Sequence, residues 1–207
     1  MTVTLLSADA DAPDREWRTL RSEVVYDNPW ISVRHEQVVA PSGASGIYGV
    51  IHRKSLGILV LPIDGRGRVT LIGQHRHPIG RYSWELPSGG SDPGEAPAVT
   101  ARRELAEETG LLARHVIELF RCDDATGFTD GRTLGFLAWG LEEGEPRPDG
   151  TEVLDVRRVP FRVALDLACN GGISHAQSQI ALLKARLMAV RGELPEELAA
   201  LILAEAA

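Results

Sequence analysis

The chain has 207 residues, enough for one substantial hydrophobic core with appendages rather than for two full domains. Apolar residues make up 43% and charged residues 25%, as in ordinary globular proteins, and the formal net charge of −7 argues against a uniformly basic face, so no nucleic-acid partner is expected. No stretch reaches the roughly 18–20 apolar residues of a membrane span. The start, MTVTLLSADADAPDREW, has no basic residues followed by a long apolar run. Neither a membrane partner nor a secretory leader is expected, and the cytoplasm is the default location.

In chain order, residues 1–15 are rich in Asp, Ala and small residues and read as a mobile arm. Residues 30–34 and 36–40 carry strand patterns, Pro41-Ser42-Gly43 signals a turn, and residues 47–51 read as another strand. Apolar runs at 56–62 and 69–73 flank Asp64-Gly65-Arg66-Gly67, a hairpin signal because glycine tolerates positive φ. A Gly/Pro-rich loop covers 87–94. The spacing then predicts a helix over 97–109, opened by Pro97, whose missing N–H does no harm there, and closed by Gly110. Strands are predicted at about 115–121 and 133–141, a solvated acidic loop over 141–155, and helices over 174–190 and 193–204. Short strands with few, separated helices indicate an α+β or layered α/β/α domain. Cys122 and Cys169 are too far apart and too few for a zinc site or a disulfide framework, and read as buried or half-buried thiols.

The stretch GGSDPGEAPAVTARRELAEETGL, residues 89–111, carries the chemistry. At 100° per residue, Glu104, Glu107 and Glu108 share one face with Thr100 and Ala101. Leu105, Ala98 and Thr109 point elsewhere, so the helix is expected to dock with its acid face open. Three carboxylates about 5–6 Å apart repel by roughly 3 kcal/mol per pair at an effective dielectric near 20. On an exposed helix the penalty falls to a few tenths of a kcal/mol, so a solvated face explains the acids as well as a site does. A divalent cation would reverse the sign, since hard ions such as Mg²⁺ take oxygen ligands. Arg103 is placed to pair with Glu107 or with Glu95.

The upstream spacing decides between these readings. Gly89, five residues, Glu95, seven residues, Arg103-Glu104-Leu105, one residue, Glu107-Glu108, one residue, Gly110-Leu111 matches at every fixed position the box of the Nudix hydrolases. The chain is therefore identified as resembling that family over about residues 24–190. Gln74-His75-Arg76-His77-Pro78 and Trp84-Glu85-Leu86-Pro87-Ser88-Gly89 resemble the segments leading into the box in the ADP-ribose pyrophosphatase branch. The resemblance implies an α+β Nudix fold, a mixed sheet sandwiched between helices, with an N-terminal β extension. It implies an arm and dimerisation strands in residues 1–42, the hydrolase domain in 43–190 and a C-terminal helical tail in 191–207, working as a homodimer.

It also implies roles. Glu104, Glu107, Glu108 and the Ser88 carbonyl would bind Mg²⁺, with Mn²⁺ as the substitute ion. Gly89, Glu95, Arg103 and Gly110 would be structural, Glu95 and Arg103 as an ion pair. Arg76 and Arg53 would contact phosphate. Trp30, Tyr48 and Tyr82 are candidates to stack on a base, although such aromatics more often serve a core. The implied reaction is Mg²⁺-dependent cleavage of a nucleoside diphosphate sugar, ADP-ribose first, to AMP and ribose 5-phosphate. A GDP-sugar, a UDP-sugar, a dinucleotide, or nucleotide binding without hydrolysis are the alternatives. The sequence departs from the branch in one place. Gly131 stands where a loop Glu is expected to act as base, leaving Asp130 as the named substitute and Asp123 or Asp124 as others.

Overall fold

A computed structural model describes residues 15–147, 150 and 153–204. The arm expected over 1–15 thus falls almost entirely outside the described residues, as does part of the acidic loop. The chain forms two compact units. One takes the chain up to Lys54 together with Ala125–Gly131; the other takes Ser55–Asp124 and the chain from Arg132 onward.

The first unit is an antiparallel sheet of β1 (Arg18–Asp27), β2 (Ile31–Val39) and β3 (Ser45–Arg53), in the order β1-β2-β3. The two strand patterns expected at 30–34 and 36–40 are one strand, β2. Strand β1 was not legible: every residue in it is exposed, so no buried face imposes alternation. Gly43, at φ 85°, turns the chain between β2 and β3. The segment Ala125–Gly131 is pinned to the end of β3. Ile51 N–H donates to the Phe128 carbonyl at 2.8 Å, and Thr129 Oγ1 donates to the Ile51 carbonyl at 2.8 Å.

The second unit is built on a mixed sheet. Its strands are β4 (Gly57–Ile63), β5 (Arg68–Arg76), β6 (Arg81–Glu85), β7 (Ser88–Gly90), β8 (Leu111–Asp123), β9 (Arg132–Glu143) and β10 (Asp155–Pro160). The main order is β10-β5-β4-β9-β8, with β6 on β5 and β7 on β4. Strand β4 pairs in parallel with β9 and is buried throughout, which is why it reads as a continuous apolar run. Its alternate residues feed two cores. Ile58 and Val60 pack with Ala101 and Leu105 of α1 (Pro97–Thr109). Leu59, Leu61 and Ile63 face the side where α2 (Phe161–Asn170), α3 (Ala176–Val190) and α4 (Glu196–Leu203) supply Phe161, Ala181, Leu182 and Leu198. Helices on both faces of a mixed sheet are the layered α+β arrangement the sequence implied.

Helix α1 occupies the predicted span. Pro97 opens it, and Gly110 closes it at φ 73°, its N–H bonded to the Ala106 carbonyl. Three expectations are corrected. The acid face is not open: Glu104 and Glu108 are 8% and 3% exposed, because that side of α1 packs toward β4 and β7. Cys169 is exposed near the end of α2, while Cys122 is half-buried, where burial pushes its thiol pKa up. Trp30 and Tyr82 are 73% and 45% exposed, so neither is a core aromatic. Among the described residues no helix is long and apolar enough to cross a membrane.

Candidate active site

In the second unit, strand β7 and helix α1 bring the box residues together. Ser88 and Gly89 pair with Leu59 and Ile58 of β4, which fixes their backbone at the edge of the α1 core. Glu108 accepts a hydrogen bond from Ser88 N–H at 2.9 Å. Glu104 lies flat against Gly89: a Cβ there would fall 2.2 Å from its carboxylate carbon and from both its oxygens. The glycine is required by this approach and not by a turn, since Gly89 is absent from the positive-φ positions.

Arg103 organises the remainder. Its Nε and Nη2 donate to the two Glu95 oxygens at 3.1 and 2.9 Å, and Nη2 also reaches the Gly90 carbonyl at 3.0 Å. Nη1 donates to Glu104 at 2.8 Å and Glu107 at 3.0 Å. The two alternatives left open for Arg103 are thus both realised, with Glu104 added. Arg103, Thr100 and the Asp92 amide hold the Glu95 carboxyl down at about 2, Arg103 being the main cause. The Glu95 carboxylate, with those of Glu104 and Glu107, draws the Arg103 pKa upward in turn. This pair ties the loop before α1 to the helix.

The energetics favour a ligand. One guanidinium stands among four carboxylates, and two of those, Glu104 and Glu108, are buried one turn apart. The few-tenths penalty of a solvated face does not apply to them, and repulsion of roughly 3 kcal/mol per pair is the better guide. The donor set is all oxygen, which suits a hard divalent cation. The side chains do not converge on a point, however. Glu104 and Glu107 lean on Arg103, Glu108 leans on the Ser88 amide, and among the described residues no three His, Cys, Asp or Glu side chains form a ready metal cage.

In the same unit, Arg76 of β5 holds Glu85 of β6 through Nε, at 3.1 and 3.2 Å, and Nη2, at 2.6 Å. Glu85 is 3% exposed. Burial works upward on its pKa, but Arg76, His175 and Ser83 together bring it below the usual value. Asp124 accepts from Thr133 Oγ1 at 2.6 Å and Gln177 Nε2 at 3.1 Å. Glu85, His175 and Ser178 were not singled out as site residues by the sequence reading, and Asp124 was named only as an alternative base. Glu85 sat inside a quoted segment; His175 and Ser178 carried no signal.

The first unit holds the other expected residues. Arg53 ends β3, and its N–H donates to Asp130 Oδ1 at 3.1 Å. The other oxygen of Asp130 meets His52 Nδ1 at 2.7 Å, with Arg34 at 4.0 Å. Partial burial works upward on Asp130, yet His52, the Arg53 amide and Arg34 bring its pKa below the usual aspartate value. Trp30 N–H is capped by Asn28 Oδ1 at 2.9 Å, leaving the indole at the surface. Sequence reasoning missed His52.

Comparison with known proteins agrees with the geometry. The NUDIX domain family matches residues 53–176. The chain belongs to the Nudix family. The nucleoside diphosphate sugar hydrolase N-terminal domain family matches residues 17–51, the strands of the first unit. An ADP-ribose pyrophosphatase of Mycobacterium tuberculosis is 35% identical over 139 residues, covering 64% of this chain and 65% of that protein. A CMP-5'-(N-acetyl-N-hydroxy-3-aminopropyl)phosphonate hydrolase of Streptomyces rubellomurinus is 30% identical over 167 residues, 81% of each chain. A crystal structure of an ADP compounds hydrolase superposes with a TM-score of 0.77 at 22% identity, covering 86% of this chain and 97% of that one, and shows the shared fold. Nudix hydrolases generally use divalent metal ions.

Proposed function

We propose that this Nudix chain is a Mg²⁺-dependent pyrophosphohydrolase of nucleoside diphosphate sugars, with ADP-ribose, cleaved to AMP and ribose 5-phosphate, as the leading substrate. The observation that carries the reading is the buried Glu104–Glu108 pair seated on Ser88 and Gly89. It stands in a chain that also matches the N-terminal domain of nucleoside diphosphate sugar hydrolases. The ADP-ribose pyrophosphatase relative supports the choice of sugar.

Glu104, Glu107, Glu108 and the Ser88 carbonyl would hold the metal, Mn²⁺ substituting for Mg²⁺. Bound there, a divalent ion supplies charge neutralisation of the diphosphate and a lowered pKa for its water. The chain's own residues do the rest. Arg103 Nη1 donates to both Glu104 and Glu107 and so offsets their mutual repulsion. Glu95 fixes Arg103. Arg76 is proposed to hold the diphosphate in register; in the first unit, Arg53 is proposed separately as a phosphate contact and exposed Trp30 as a base contact. Asp130 is a weak proton acceptor, because a base works best with a pKa near the working pH and its partners pull it the other way. We assign it instead to anchoring the Ala125–Gly131 segment through His52 and the Arg53 amide.

A panel of ADP-ribose, GDP-sugars, UDP-sugars and dinucleotides, incubated with Mg²⁺ and coupled to phosphatase, tests the proposal. ADP-ribose should turn over fastest. The Streptomyces relative, whose name gives a CMP-linked phosphonate as substrate, supports a cytidine compound as the second reading. No turnover of any compound, with tight binding of one, would show a nucleotide-binding protein instead, a result that Gly131 in place of an acid favours. We further propose a cytoplasmic homodimer through the 17–51 strands, whose exposed Leu20, Val24 and Ile47 offer apolar area. Sedimentation at 22.5 kDa, and not twice that, would contradict it.

A further inference from the structure

Arg76 is supported by a chain of side chains running through the sheet to the start of α3. Glu85 takes the Nε and Nη2 edge of its guanidinium, with Nη2 on Oε2 at 2.6 Å. The same Oε2 lies 4.0 Å from His175 Nδ1. His175 Nδ1 is 2.9 Å from Ser178 Oγ, and Ser178 is fully buried. Ser178 Oγ accepts the Leu86 N–H at 3.0 Å, which leaves its own proton available to His175 Nδ1. We take Nδ1 as the acceptor of that proton, which puts the ring proton on Nε2.

We propose that His175 and Glu85 are positioning residues for Arg76, and that the neutral, Ser178-bonded form of His175 keeps the Glu85 carboxylate committed to the arginine. The inference rests on the proposed phosphate contact of Arg76. Its physical basis is competition for one oxygen. A guanidinium gripped along its Nε/Nη2 edge is fixed in orientation, as oriented phosphate recognition needs. If His175 gains a proton, Nδ1 turns from acceptor to donor. The Ser178 hydroxyl must then rotate to accept from Nδ1–H, and the new positive charge, 4.0 Å from Glu85 Oε2, competes with Arg76 for that carboxylate. The groups facing the imidazole are Glu85 from β6, Arg76 from β5 and Asp124 from the end of β8. Burial and Arg76 oppose protonation; Glu85 and Asp124 favour it; the balance lies on the neutral side. A role limited to capping α3 would not need the Glu85 oxygen nearby, nor would it depend on the charge of the ring.

Two measurements test this. The first needs no substrate: exchange of the Arg76 Nε proton followed by NMR between about pH 8 and pH 5.5, a window that spans histidine titration. Its protection, the observed rate referred to the hydroxide-catalysed intrinsic rate at each pH, should be high at the high end and fall as His175 protonates. In His175→Asn, which keeps a hydrogen bond to Ser178 but cannot titrate, the exchange should show no such step. The second is kinetic, with ADP-ribose and Mg²⁺. His175→Ala should raise KM by about 3- to 10-fold with kcat little changed, the size expected of a supporting residue. His175→Asn should restore KM near the high end and abolish its rise at low pH. An unaltered acid limb in His175→Asn, or Arg76 exchange that ignores His175, would overturn the inference. Arg76→Ala separates the two layers. If it leaves KM unchanged, the phosphate role of Arg76 fails. If it raises KM while His175→Ala does not, only the positioning role fails.

Discussion

Replacing Gly89 by alanine isolates what the buried carboxylate contributes. The backbone at Gly89 has no positive φ, so alanine is admissible there on conformational grounds. The new methyl, however, falls 2.2 Å from the carboxylate carbon and both oxygens of Glu104, where ordinary contact begins at 3.4 Å. The carboxylate must withdraw by roughly 1 Å or more, and it can, because it is the end of a flexible side chain. A misplacement of about 1 Å costs on the order of 100-fold in a reaction that depends on fixed geometry, equivalent to about 2.7 kcal/mol of barrier. We expect Gly89→Ala to lower kcat/KM for ADP-ribose about 100-fold and to raise the Mg²⁺ concentration needed for half-maximal rate. Its melting temperature should stay close to wild type, because no backbone or apolar contact is lost. Turnover is read as AMP release over a Mg²⁺ series, with thermal melts in parallel. Activity within about threefold of wild type at the same Mg²⁺ requirement would refute the claim that Glu104 must lie against residue 89.

Three further outcomes are expected. Glu108→Gln should abolish Mg²⁺-dependent turnover, by about 100-fold or more, while the melt remains cooperative, since the amide oxygen can still accept the Ser88 N–H; near-normal rates would remove Glu108 from the metal set. Glu95→Gln should destabilise the fold in a pH-dependent way. The Glu95 carboxyl is depressed from 4.5 to about 2, so the stability it confers is complete above pH 4.5 and is lost as pH falls from there toward 2. The gap in melting temperature between wild type and Glu95→Gln should therefore be widest near neutrality and close across that window, and a constant gap would contradict the assignment. Gly110→Ala places a side chain at φ 73° and a Cβ 2.8 Å from the Gly144 carbonyl, and should cost at least about 1–2 kcal/mol in urea unfolding.

What the sequence made legible follows from the distance over which each signal acts. The ends of α1 were readable because Pro97 and Gly110 act on their own backbone. The Glu95–Arg103 pair was readable because its spacing is short and belongs to a recurring box. Helix α2 is legible in principle: Phe161, Ala164, Leu165 and Ala168 recur at helical spacing, but they follow Pro160 closely, which masks the start of the helix. The burial of Glu104 and Glu108 was not readable from the helix, because it is imposed by β4 and β7, elements whose pairing depends on tertiary contacts. The same limit explains Arg76. Its partner Glu85 lies nine residues away across a strand pair, and His175 and Ser178 arrive from a helix some ninety residues later. Gly131 shows the opposite case. A local mismatch in a spaced motif was visible at once, yet its meaning was not. Asp130 beside it is committed to His52 and the Arg53 amide, which makes it a poor proton acceptor, and this followed only from contacts made 77 and 78 residues apart. The acids on α1 are thus specified by local sequence, whereas the readiness of any group to take a proton is set by partners that only the folded chain brings near.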